Sequence, residues 1–194
     1  MKIVSMILVA AVSAAAAAPT LVAQEKPTRS GFGFSLGLGQ GSTGVTCDGC
    51  EQYEEDRLSG LTGYVRIGGY VNPKFFVGVE GTGWMKNSNS LDRRIAAVSV
   101  VFLGYPSMTG GFFVRSGAGV IRAVIEDGTN SAVGEGLSWQ LGVGYDVPLG
   151  VRVAFTPFLT YVQSMQTALD VNGIATDFTI NPNILQGGIA ITLP

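Results

Sequence analysis

The sequence predicts an all-β protein, an eight-stranded antiparallel up-and-down β-barrel that crosses a membrane with its strands. Three observations predict it. Large apolar residues alternate with small or polar ones along eight segments of the chain. Short turns and long polar connections alternate strictly between those segments. The composition is 46% hydrophobic and 13% charged, with 28 Gly in 194 residues. That is too apolar for an ordinary secreted domain and too rich in Gly for helices, where each Gly costs about 1 kcal/mol.

The N-terminus reads as an export signal. Lys2 is a short positive region, IVSMILVAAVSAAAAA an apolar one, and Leu21-Val22-Ala23 offers a cut before Gln24. A cut after Ala18 would leave Pro19 at the next position, so Ala23 is preferred. An uncleaved anchor is the alternative, but Pro19 and Thr20 interrupt the apolar run. No Cys follows it to carry a lipid. We therefore expect a signal peptide over 1–23, a short segment over 24–29 and the barrel over 30–194. Beyond the signal, no stretch approaches the ~20 consecutive apolar residues of a spanning helix. The formal charge of −2 offers no basic face, which argues against nucleic acid as a partner.

The first segment, 30–39, is followed by the polar connection 40–59, which carries TCDGC. In an exported chain Cys47 and Cys50 are expected to form a local disulfide. A redox role is disfavoured because Asp48, Glu51, Glu54, Glu55 and Asp56 surround the pair and oppose a thiolate. No second Cys pair or His completes a metal site.

Segments 60–71 and 75–86 flank Asn72-Pro73-Lys74 and carry one central charge each, Arg66 and Glu80. If Val71 faces Phe75 across the turn, Arg66 lies directly opposite Glu80. A slip of one residue would put the partner of Arg66 on the apolar face. The fourth segment, 94–105, is apolar on both sides, so alternation leaves its facing open. The fifth, 111–123, places Arg115 among the small residues, and the sixth, 136–147, places Gln140 and Asp146 there. The seventh, 151–164, adds Arg152, and its Pro157 predicts a bulge or bend through a missing ladder bond. The last, 183–193, adds Gln186. PSMTG and PLG are the other short turns, whereas NSNSLDR, IEDGTNSAVGE and 166–181 are long.

The large residues belong outside, in lipid, and the small and polar ones inside, because an eight-stranded lumen is just wide enough for side chains to fill it. A soluble lipocalin-like barrel would reverse the two faces. Arg66, Glu80, Arg115, Gln140, Asp146, Arg152 and Gln186 are then expected to form one polar network in the lumen, near charge balance as burial demands. An ion-lined pore is the functional alternative. Tyr70, Phe75, Tyr105, Phe112 and Tyr145 are expected to form an aromatic girdle at the short-turn end, with Trp139 and Tyr161 at the other. Alternation aims Trp84 inward.

With these strands and the terminal run Gln186-Gly187-Gly188-Ile189-Ala190-Ile191-Thr192-Leu193, the chain resembles the small outer-membrane β-barrels of Gram-negative-type bacteria, the OmpA/OmpX-like group. The resemblance covers the whole mature chain. It implies the outer membrane as location, periplasmic termini and four surface loops. It also implies that Gln186, Gly188, Ile191 and Leu193 act as a signal to the barrel assembly machinery. Leu193 stands where the group usually has an aromatic residue, and Pro194 follows it.

Outer-membrane barrel enzymes such as lipid A deacylases, palmitoyl transferases, phospholipases and surface proteases rely on a catalytic His. This sequence has none. Its first-loop carboxylates lack the spacing of a Ca²⁺ loop. We therefore expect no enzyme activity and no cofactor. The expected role is structural or interactive, for a monomer in outer-membrane lipid with a surface ligand bound through 40–59. A narrow channel for small solutes and a secreted, ligand-binding soluble barrel are the alternatives.

Overall fold

The computed structural model describes residues 29–48, 57–88, 91–127, 130–171 and 174–194. The expected signal peptide 1–23, most of segment 24–29, Cys50 and the side chain of Cys47 lie outside these residues, and so does the expected disulfide.

The strands are β1 (Gly31–Asp48), β2 (Leu58–Asn72), β3 (Phe75–Ser88), β4 (Leu91–Gly104), β5 (Phe112–Asp127), β6 (Asn130–Tyr145), the stub β7 (Val147–Pro148), β8 (Ala154–Val171) and β9 (Ile174–Leu193). Neighbours in sequence pair antiparallel, β6 pairs with β8, and β1 pairs with β9. Eight strands thus close into a ring, with β7 as an appendix to β8. Closure removes the open edges that a free sheet would expose.

The strands run to 14–20 residues apart from the stub, well beyond the apolar segments. Much of the expected loop 40–59 is strand, since β1 continues to Asp48 against Thr179 of β9. Apolar side chains are needed only where lipid touches the wall. Ladder hydrogen bonds continue into water without them, so hydropathy marks the membrane belt and not the strand ends.

Arg66 faces Glu80 as the alternation required. Nearer the turn the register differs from the expected one. Asn72, not Val71, faces Phe75, and a bulge falls between Tyr70 and Asn72. The cause is local: Asn72 Oδ1 accepts from the backbone N–H of Lys74 at 2.9 Å and of Phe75 at 3.1 Å, closing a side-chain-mediated turn. Pro157 gives no register shift. It sits beside a break in the ladder, between the pairs Gly144–Phe158 and Val147–Phe155, and the register resumes unchanged. The irregularities of β8 lie instead at 163–167 and 168–170 against β9 and at 165–168 against β6.

Leu36, Ile67, Val79, Val100, Leu141 and Ile189, from six different strands, are each about half exposed. They belong to a continuous apolar belt. Water-soluble monomers rarely expose such patches beyond a few hundred Å². On β4 the odd positions Ile95, Ala97, Ser99, Val101 and Leu103 are buried and the even ones face out. The register with β3 decides this, because Ser99 lies opposite Glu80. Phe75, Phe112 and Tyr145 face outward at the short-turn end, as expected of a girdle. Tyr70 and Tyr105 do not. Tyr105 is 2% exposed and Tyr70 packs its ring 5.1 Å from Phe76, inside the wall. Both share the parity of inward residues on their strands, and that parity outweighs their place at the membrane boundary.

Candidate functional site in the lumen

The lumen is built in three layers. At the short-turn end Phe76, Val101, Leu103, Tyr105 and Phe113 pack together with Tyr70 against them. Gly144 is one condition of this packing, since a Cβ there would collide with the Phe113 ring. Asp146 accepts from the Tyr105 hydroxyl at 3.0 Å and from Thr156 Oγ1 at 2.7 Å. Arg29 closes this end. Its guanidinium stacks 3.8 Å from the Tyr105 ring centroid and donates to the carbonyls of Gly110 at 2.6 Å and Ser107 at 3.4 Å.

Arg29→Ala is therefore expected to lose a cation–π contact of ~0.5–2 kcal/mol and charge-assisted hydrogen bonds of ~1.5–3 kcal/mol gross, partly regained by water. A net loss of about 1–2 kcal/mol in urea unfolding is the expected result. An unchanged midpoint would show that Arg29 closes nothing.

The middle layer is polar. Glu80 is 0% exposed, and its Oε2 accepts from Arg115 Nη1 at 2.5 Å and from Arg66 Nη1 at 3.5 Å. The Arg66 and Arg115 guanidinium carbons lie 5.4 and 5.0 Å from the Tyr64 ring centroid. A relay of hydroxyls crosses the floor of this layer. Tyr64 bonds Ser35 at 3.1 Å, Ser35 bonds Thr192 at 2.9 Å, and Thr192 bonds Thr156 at 2.9 Å, which leads to Asp146. Thr62 donates to Gln186 Oε1.

The third layer, toward the long-connection end, is apolar again. Trp84, Ile95, Ala97, Ile121, Ala123, Val162 and Ile184 form it, with Leu58 packed on top. The Trp84 Nε1–H donates to Gly41 O at 3.0 Å, so its only polar atom is satisfied within the wall.

Of the polar residues expected in the lumen, Arg66, Glu80 and Arg115 meet in one cluster. Asp146 does not touch that cluster but lies nearer the turns, linked to Tyr64 through the hydroxyls of Thr156, Thr192 and Ser35. Gln186 and Gln140 are buried in the middle layer, Gln186 held through Thr62. Arg152 is a correction: it is exposed, in the turn before β8. The cause is that Leu149 N–H bonds Val153 O at 2.8 Å, so the strand restarts only at Ala154. Arg29, Ser35, Tyr64 and Thr192 were not singled out from the sequence. Parity alone would have placed the last three inside, but nothing local marks Arg29.

In the terminal run, Gln186 faces the lumen while Ile191 and Leu193 face lipid. Gly188 faces Gly39 of β1, and a Cβ on it would sit 2.7 Å from the Gly39 Cα. This close approach gives Gly188 a reason to be Gly apart from any signal. Gly188→Ala is expected to destabilise the barrel by ~1–3 kcal/mol on refolding from urea without other proteins. If refolding is normal and only assembly in cells suffers, the residue acts through recognition alone.

No family model matches the chain, and no curated relative does. Solved structures do match in fold. Neisserial surface protein A superposes with a TM-score of 0.57 at 10% identity, over 82% of this chain and 96% of that one. Ail, the attachment invasion locus protein of Yersinia pestis, gives 0.50 at 15% identity, over 83% and 99%. The outer membrane protein OprG from Pseudomonas aeruginosa gives 0.51 at 14%, over 87% and 99%. By its closed ring, outward apolar belt and these likenesses the chain has the fold of an outer-membrane β-barrel. Its architecture is the small eight-stranded, OmpX-like one.

Proposed function

We propose that this barrel is a structural and surface-contact protein of the outer membrane, acting as a monomer, without enzyme activity and without a conducting pore. The observation that carries the reading is the double closure of the lumen, by the Tyr105–Phe113 layer at one end and the Trp84 layer at the other. A polar middle sandwiched between two apolar layers offers no continuous wet path. Planar-bilayer recording should therefore give no unitary steps, and regular steps would sink the reading.

Contact is then left to the strand ends that rise beyond the belt. They carry Asp48, Asp92, Glu126, Asp127, Glu135, Asp170 and Asp177 against Arg57, Lys86, Arg93, Arg94 and Arg122, an excess of two acids. Glu51, Glu54, Glu55 and Asp56 in the sequence tip the first loop acidic. Ail has been solved with the heparin analogue sucrose octasulfate. The acidic first loop here favours a cationic ligand over such a polyanion. Replacing 49–56 by a short neutral turn should abolish binding of cells or folded protein to cationic surfaces, with the barrel intact. Undiminished binding would count against the loop. Assembly through recognition of Gln186, Gly188, Ile191 and Leu193 by the barrel assembly machinery belongs to the same reading.

A further inference from the structure

We propose that the lumen holds a small monovalent anion on the free edge of the Arg115 guanidinium. The site goes beyond the surface-contact reading and does not depend on what the loops bind.

The first ground is charge. Among the described residues the middle layer sets two guanidiniums, Arg66 and Arg115, against one carboxylate, Glu80. Counting the described residues of the whole interior, Arg29, Arg66 and Arg115 face Glu80 and Asp146, which leaves one positive charge in excess. A desolvated charge without a counter-charge is costly, so an interior of this kind favours a ligand that restores balance.

The second ground is geometry. A guanidinium offers two flat faces, over which aromatic rings stack, and donor edges, where hydrogen bonds form. The ring centroids of Tyr64 and Phe158 lie 5.0 and 5.9 Å from the Arg115 Cζ. Nη1 is committed to Glu80. The remaining edge, Nε with Nη2, has no hydrogen-bond partner, although Arg115 is only 1% exposed. Two parallel N–H groups on one edge are the fork that grips a carboxylate or similar anion bidentately.

The third ground is the row Arg115 stands in, since it pairs with Gly142 of β6, Gly142 with Thr160 of β8 and Thr160 with Gln186 of β9. Thr160 Oγ1 and Gln186 Nε2, and Ser138 Oγ on the inner wall of β6, are also buried without protein partners. Hydroxyls and amides can donate to an anion or hold a water beside it. Water alone would satisfy the donors but not the charge. The apolar layers above and below offer no donors to a larger anion. They favour an ion like a halide or formate over a phosphate or any organic anion with a bulky tail.

The test uses the full-length mature protein folded in mild detergent, at equal ionic strength in sodium bromide, sodium formate or sodium gluconate. Bromide or formate should raise the melting temperature over gluconate, saturably, by about 3–6 °C at ten times the dissociation constant. The Arg115→Met variant should lose that difference. Because this variant removes a partner of Glu80 and can fail to fold, the second measurement needs no substitution. Crystals of the parent protein grown in bromide should show an anomalous peak within hydrogen-bonding distance of Arg115 Nε and Nη2. Equal melting in all three salts overturns the proposal. So does the absence of an anomalous peak at that edge, even if the melting temperature responds to bromide.

Discussion

Glu80→Gln is expected to bring the barrel close to unfolding. The substitution keeps the shape but removes the one carboxylate that Arg66 and Arg115 share in the middle layer. Removing one partner of a buried ion pair costs about 3–5 kcal/mol, because the remaining charge is left desolvated. Here two charges are left. Whole domains are stable by only ~5–15 kcal/mol, so the loss is a large share of the total. Arg66→Met should cost clearly less, since Arg115 keeps the shorter contact to Glu80, 2.5 against 3.5 Å. Urea unfolding of both variants in one detergent measures the contrast. A boiled and unboiled gel, in which a closed barrel runs apart from its denatured form, gives a coarse version. If Glu80→Gln falls within about 1 kcal/mol of the parent, the cluster is not the keystone of the lumen that its burial implies.

Val100→Arg is the second large effect, and it tests the outside of the barrel as Glu80 tests the inside. Val100 is 49% exposed on the outer face of β4, between Val79 of β3 and Ala118 of β5. An arginine facing lipid at the midplane of a membrane barrel costs about 2–4 kcal/mol, falling to ~0–1 kcal/mol near the interface. Val147→Arg, on the outward stub β7 at the short-turn end, supplies the interfacial comparison. Folding both variants into phospholipid vesicles should show this gradient. A soluble barrel would tolerate both substitutions equally, and equal tolerance would return the choice to a secreted ligand-binding protein.

The two substitutions also separate what is local in this molecule from what is not. The facing of Val65, Ile67, Val79, Leu141 and Ile189 follows from alternation, because successive side chains on a strand point to opposite faces whatever the strand pairs with. The Arg66–Glu80 contact is nearly as local. Fourteen residues and one turn separate the two, and a hairpin's register is set by its turn and its apolar face. Even there the side chain of Asn72 adjusted the end of the ladder without moving the middle.

Strand ends were less legible. Alternating hydropathy stops where lipid stops, whereas the backbone ladder of β1 with β9 continues through Gly44 and Thr46 to Asp48. Arg152 fell on the wrong side of such a boundary, being assigned to a strand that begins two residues later. Tyr70 and Tyr105 were placed by their closeness to the turns, when parity already pointed Tyr70 inward and the register of β4 with β3 turns Tyr105 the same way.

By itself the sequence determined the class of fold, the outward face of seven of the eight strands, and the hairpin pair Arg66 and Glu80. Only the tertiary structure decided how β4 faces, that Arg115 reaches Glu80 from two strands away, that Asp146 joins Tyr105 and Thr156 instead, and that Arg29 closes the turn end. The physical reason is that a period of two residues is a property of one strand. Which inward side chains meet is a property of the closed ring, where strand tilt and stagger bring distant positions to one level of a narrow lumen.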